Sequence, residues 1–230
     1  MSRRDIILDG CLLGDEVIDA SQKLLKRQFA GIGGLQSTLL SQTNMMQATH
    51  ADSVQIHHCP RRHHWLTSTS SGEKVILFDI VPGNLSSSVQ VQLAQIYKRY
   101  RTDHKLEVDV VDVQRQEGGS DCGLFAIAYA VSVAFGELPQ SVQFLQAEMR
   151  PHLVSCLEKE MFSPFPRTAG KRKPKKSRRV QIELFCRCHL PEEYDDMVWC
   201  DNCETWFHYK CEGFSGNCEG TYTCQECRLS

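Results

Sequence analysis

Gln116-Glu117-Gly118-Gly119-Ser120-Asp121-Cys122-Gly123 leads straight into an apolar run over residues 124–135. That run is apolar nearly all round, which predicts a buried helix. Cys122 falls at the start of this helix, where unpaired amides and the helix dipole favour a thiolate. Ser120 or Asp121 is placed to cap the helix. The neighbouring glycines would let a substrate backbone approach closely. A cysteine so placed is a candidate nucleophile, and it needs a base.

Upstream, His64-Trp65 opens a strand-like run to residue 69, and Asp79 lies at the close of another over 75–80. Ser71-Gly72 between them signals a hairpin. Paired strands would set His64 beside Asp79, giving a nucleophile, a base and an orienting carboxylate. Around this centre the chain reads as mixed α and β. Asp15-Glu16 opens an amphipathic helix to about residue 28, and Gly31, Gly33 and Gly34 break it. A short strand follows at 54–56, then a helix at 86–101 and a half-buried strand at 106–113. Pro139 opens an amphipathic stretch to about 161, interrupted at Pro151.

These residues resemble the ubiquitin-like-protein-specific cysteine proteases, the SUMO protease family with a papain-like α+β fold. The family order is His-Trp, then Asp, then Gln, then Asp-Cys-Gly, with the Gln six residues before the Cys. His64-Trp65, Asp79, Gln116 and Asp121-Cys122-Gly123 reproduce it, and Leu13, Asp15 and Ile18 match the family's opening. The resemblance implies that His64 is the general base, Asp79 orients it, Cys122 attacks and Gln116 donates to the oxyanion. Trp65 and Asp15 would then contact substrate, Trp65 over a narrow tunnel that admits a terminal Gly-Gly. The implied reaction is peptide or isopeptide hydrolysis after a SUMO-like or other ubiquitin-like protein. Leu12 stands where the family usually has Trp, and Ile80 where Ser is common. A folded relative that binds without cutting is the alternative. His57, His58 and Cys59 invite a metal reading, but nothing nearby in sequence completes a site; Cys11 and Cys156 read as ordinary semi-buried cysteines.

Pro164 and Pro166 close this first domain, taken as residues 1–166. Residues 167–179 carry 8 Lys or Arg and no acidic residue, although the whole chain has a net charge of -2. Such a run has nothing to bury and repels itself, so residues 167–182 read as a solvated basic linker. A nuclear-localisation signal or a phosphate contact is compatible with that reading, and nucleic acid would be touched here if anywhere.

Of 12 cysteines, eight follow residue 180. Without a signal-peptide pattern, clustered cysteines imply metal or catalysis in a reducing compartment. The longest apolar stretch is too short to span a bilayer, so no membrane partner is expected. Cys186, Cys188, Cys200, Cys203, His208, Cys211, Cys224 and Cys227 come in close pairs, each able to supply two zinc ligands from one turn. Eight ligands imply two ions. With His fifth, the order resembles a PHD finger over residues 183–230. That resemblance implies interleaving: Cys186, Cys188, His208 and Cys211 hold one zinc, and Cys200, Cys203, Cys224 and Cys227 the other. Trp206 and Met197 match positions that wall a methyl-lysine cage in histone-reading members, with Phe185 or Tyr194 as a third wall. Trp206 is core in other members. The acidic 192–196 stretch would complement a histone H3 tail. Trp199 has no assigned role, and Cys218 reads as a spare thiol. Together these features point to the nucleus, with the cytoplasm possible, and to a protease or a chromatin-reading adaptor. Both modules also occur in mobile-element proteins.

Overall fold

The computed structural model describes every residue except 1, 51, 81–82, 103, 171, 174–176, 193–195, 214–219 and 230. Tyr194 and Cys218 therefore lie outside the described residues. A capping box of Ser2 and Asp5 starts α1 (Arg3–Leu8). In α2 (Asp15–Gln28), Val17, Ile18, Leu24 and Leu25 form the buried face that their spacing predicts. β1 (Gly33–Gly34) then runs parallel to β2 (Ser53–Cys59). A Cβ at Gly34 would stand 2.3 Å from the Val54 carbonyl oxygen, so the backbones meet only because glycine is there.

β3 (His64–Ser71) and β4 (Lys74–Phe78) make the expected hairpin. Ser86 caps α3 (Ser87–Ile96), after which β5 (Arg101–Thr102) and β6 (Lys105–Val111) pair as an antiparallel ribbon. β6 returns parallel to β4. α4 (Cys122–Ala134) and α5 (Gln146–Glu158) complete the domain. Pro151 lies inside α5 and does not interrupt it. It costs the helix one amide donor, and burial of Met149, Leu153, Val154 and Cys156 carries the helix through.

The strands lie in the order β1-β2-β3-β4-β6-β5, with α2, α4 and α5 on one face and α3 on the other. Strand residues alternate accordingly. Val54, Ile56 and Phe78 join the α4 core, whereas Leu66, Val75 and Leu77 join the α3 core. This is an α+β architecture.

The basic run departs from a solvated linker. Thr168 donates to the Gln143 carbonyl and Arg172 to that of Ser141, while the Arg172 side chain pairs with Asp112. β7 (Arg178–Glu183) then joins the sheet, antiparallel along the outer edge of β6. Ile182 is buried in the α3 core, and Arg179 reaches Asp109 at 3.1 Å and Glu107 at 3.3 Å. The run's self-repulsion is thus offset by acidic residues on β6, whose open edge supplies hydrogen bonds. Beyond it, β8 (Met197–Cys200), β9 (Thr205–His208), α6 (Tyr209–Glu212) and α7 (Gln225–Leu229) form a small second unit. Its core is Val198, Phe207 and Tyr222 among the cysteines.

Candidate functional site

The β3–β4 register pairs Thr67 with Phe78. Asp79, one residue beyond β4, therefore falls diagonal to His64 on the same sheet face. His64 Nε2 lies 2.7 Å from Asp79 Oδ1, with side chains only 5% and 4% exposed. α4 is fastened to β3 by Thr67 Oγ1 donating to the Ala126 carbonyl at 2.8 Å. That contact brings the first residue of α4, Cys122, up to the start of β3, where its thiol lies 4.0 Å from the His63 carbonyl and within electrostatic reach of the His64 imidazole. Because Nε2 is engaged by Asp79, Nδ1 is the nitrogen left for the thiol.

Electrostatics follow from this packing. Burial pulls the His64 imidazole down, but hydrogen bonds and charge from Asp79 and Cys122 outweigh it and raise the pKa to about 9. For Cys122, burial works upward. The neighbouring His64 imidazole, with the Trp65 and Gly123 amides, overcomes it and leaves the thiol below its ordinary value. The two shifts are opposite in sign, the direction that favours an ionised thiol beside a protonated imidazole.

Several neighbours differ from their sequence-based roles. Neither Ser120 nor Asp121 caps α4 through its side chain; Asp121 is the N-cap residue by position but makes no side-chain cap bond. Its carboxylate is held instead by Arg150 and Gln146. Gly123 faces protein, not an approaching substrate. A Cβ there would stand 3.1 Å from both Leu13 Cβ and Trp65 Cδ1. Gln116 donates from Nε2 to the Gly118 carbonyl at 3.0 Å, and its buried Oε1 has no partner among the described residues. Trp65 is mostly buried, with Nε1 donating to the Leu13 carbonyl at 2.8 Å. Trp65 and Asp15 nevertheless line one groove of about 270 Å³, with Leu12, Leu39, His58 and His63. His57 is a core residue bonded to Gln92 and Ser68, and burial holds it at about 4, hence neutral. Cys59 contacts Ser86 at 3.2 Å and His58 stacks on Trp65, so these three residues do not converge. Cys156 is buried, 3.3 Å from His152 Nε2 one helical turn back. Sequence spacing of four in α5 was the available signal for that pair.

In the second unit, Cys186, Cys188, His208 and Cys211 converge, as do Cys200, Cys203, Cys224 and Cys227. Within each tetrad the ligand atoms lie within 4.8 Å of one another. The donor sets, four thiols in one and three with an imidazole in the other, suit a tetrahedral soft-ligand ion. Their surroundings fit as well. The Cys224 amide donates to Cys200 Sγ at 3.2 Å, and the Cys227 amide to Cys224 Sγ at 3.4 Å. His208 Nε2 lies 3.0 Å from the Pro191 carbonyl, which turns Nδ1 inward, 3.2 Å from Cys188 Sγ.

β8 and β9 pair Trp199 directly with Trp206 and Met197 with His208. Alternation puts Met197, Trp199 and Trp206 on one face. The two indoles meet at 5.4 Å and 63°, and are 38% and 43% exposed. Phe185 instead packs on the finger core and lines a cleft with Arg61 and Glu192. The partner of Trp206 that sequence reasoning left unassigned is thus Trp199, and cross-strand pairing is what identifies it.

The pair makes a pH prediction. Alkylation of Cys122 by iodoacetamide should begin below the ordinary thiol range and lose its imidazolium assistance as pH passes about 9. His64→Ala leaves burial dominant, so the midpoint should move upward; mass-spectrometric quantification of labelled Cys122 against pH measures it.

No family model matches the chain. The SUMO protease Ulp1, solved with its catalytic cysteine oxidised to a sulfenic acid, aligns with a TM-score of 0.52 at 10% identity, over 68% of this chain and 82% of that one. The C-terminal Ulp1 protease domain in complex with Smt3, the yeast ortholog of SUMO, aligns with a TM-score of 0.51 at 10% identity, over 68% and 81%. Chromatin remodeling protein SHL of Arabidopsis thaliana is 35% identical over 51 residues, 20% of this chain and 22% of that protein's length. The chain therefore has the papain-like α+β fold of the SUMO protease Ulp1, followed by a small PHD-like domain with two Cys/His tetrads.

Proposed function

We propose that the chain is a cysteine peptidase that cuts peptide or isopeptide bonds at the C-terminus of a SUMO-like or other ubiquitin-like protein, tethered to a zinc-dependent histone-tail reader. The observation that carries the enzymatic half is the buried 2.7 Å His64–Asp79 contact beside a thiol at the start of α4. Its setting in an Ulp1 fold, and the Ulp1 complex with Smt3, support the substrate class. In the proposed cycle the Cys122 thiolate attacks the scissile carbonyl, and the Cys122 amide and Gln116 stabilise the oxyanion. Protonated His64 passes its proton to the leaving amine, then deprotonates the water that splits the thioester. Asp79 keeps the imidazole oriented.

The tetrads are read as two structural zinc sites, since thiolate and imidazole donors in closed sets of four are what zinc selects. Trp199 and Trp206, with the Met197 thioether on the same face, present an aromatic surface to a methylated lysine, in a finger that is acidic overall. The partial match to a chromatin protein and the basic run favour a nuclear location. A second reading, a protease-like domain that only docks a ubiquitin-like protein, is favoured by one contact. The Gln116 amide is spent on Gly118 instead of an oxyanion position.

A ubiquitin-like probe ending in Gly-Gly with a cysteine-reactive warhead separates the two. Labelling should occur at Cys122, vanish in Cys122→Ala and slow by about 100-fold or more in Asp79→Asn. Binding without labelling across a panel of modifiers would leave the docking reading. For the metal, atomic absorption should find two zinc ions per chain. Chelation should abolish the near-ultraviolet signal of Trp199 and Trp206 before the α4 core melts. For the reader, Trp206→Ala should weaken binding of a lysine-methylated H3 peptide by about tenfold; unchanged affinity in calorimetry would remove Trp206 from the contact.

A further inference from the structure

We infer that Arg150 is a positioning residue for Cys122: it holds the Asp121 carboxylate off the N-terminus of α4, so that the first-turn amides stay open to the nucleophile. The inference rests on the peptidase reading of Cys122.

Asp is among the strongest N-cap residues, and its carboxylate normally accepts from the second or third amide of the helix. Here those amides belong to Gly123 and Leu124. Asp121 occupies the N-cap position yet makes no such bond. Arg150 Nε and Nη2 both reach Asp121 Oδ1, at 2.8 and 2.6 Å, and Gln146 Nε2 reaches Oδ2 at 2.6 Å. The Arg150 and Asp121 side chains are only 11% and 13% exposed, so water does not compete strongly for them.

Arg150 is itself fixed by its other donors, which reach the carbonyls of Ile7 at 2.6 Å and Cys11 at 2.8 Å. Gln146, one turn earlier on α5, also brackets Glu117, accepting from its amide at 2.8 Å and donating to its carbonyl at 2.9 Å. α5 thus grips the loop that leads from Gln116 to Cys122. The Gly123 amide, which a capping Asp121 would claim, is one of the groups that favour the ionised Cys122 sulfur. Released, the carboxylate would compete for that amide and place a second negative charge beside the thiolate. Both effects disfavour the ionised sulfur.

The test uses the full zinc-loaded chain and reads iodoacetamide labelling of Cys122 by mass spectrometry across pH, beside circular dichroism. Arg150→Met should move the labelling midpoint upward and slow labelling at neutral pH by about three- to tenfold. Adding Asp121→Ala removes the competing carboxylate, so the double variant should return toward the wild-type midpoint while remaining less stable than wild type. A folded Arg150→Met protein with the wild-type midpoint overturns the inference. So does a double variant that keeps the upward shift, because a purely structural tie predicts no rescue. If Arg150→Met does not fold, Arg150→Lys keeps the charge without the fork and should give a smaller upward shift; no shift there overturns the inference as well. Labelling by iodoacetamide needs no protein substrate, so failure of the ubiquitin-like probe would count against the peptidase reading and leave this result separate.

Discussion

The site exists because the start of α4 lies hard against β3. Gly123 is the point of closest approach: Leu13 and Trp65 stand where a side chain would begin, each 3.1 Å from an added Cβ. A single methyl group there would push helix and strand apart, and with them Cys122 and His64. Thr67 ties the same surfaces one turn further on by donating to the Ala126 carbonyl. Every electrostatic property of the thiol follows from this approach. Burial alone would raise its pKa, and only contact with His64 and two amides reverses the sign.

A second constraint joins the two units. β7 completes the outer edge of β6, and Ile182 and Leu184 then enter the α3 core. The Leu184 amide donates to the His104 carbonyl at 2.7 Å, and His104 stacks on His189 at 5.4 Å beside the first tetrad. The PHD-like domain is therefore seated on the sheet. The arginines that look like a charge run serve as pairing partners for Asp109, Asp112 and Glu107. Charge repulsion along a sequence is a local property, and a neighbouring strand of opposite sign cancels it.

Local patterns were readable where the physics is local. The helix at 15–28 has its period written in Val17, Ile18, Leu24 and Leu25, and the hairpin has its turn in Ser71-Gly72. The close ligand pairs were readable from spacing alone, whereas their interleaving into two tetrads came only with the resemblance to a PHD finger. Other features escaped for equally physical reasons. Asp121 next to an apolar run looks like a cap, and nothing local reveals that Arg150, 29 residues on, withdraws it. Pro151 looks like a break because the packing that carries α5 through it comes from distant residues. Trp199 had no role until β9 set Trp206 opposite it.

The sequence by itself determined which groups are present and how they are ordered: His64, Asp79, Gln116 and Cys122 in succession, seven cysteines and His208 in close pairs, and the periodicities that make α+β structure. Those are properties of residue type and spacing, and short-range geometry suffices for them. Tertiary structure alone decided which nitrogen of His64 faces the thiol, where the Asp121 carboxylate goes, which aromatic faces Trp206, and that the basic run ends as a strand. Each of these depends on contacts between segments far apart in the chain, whose partners compete for the same hydrogen bonds and charges. Only the folded arrangement settles that competition.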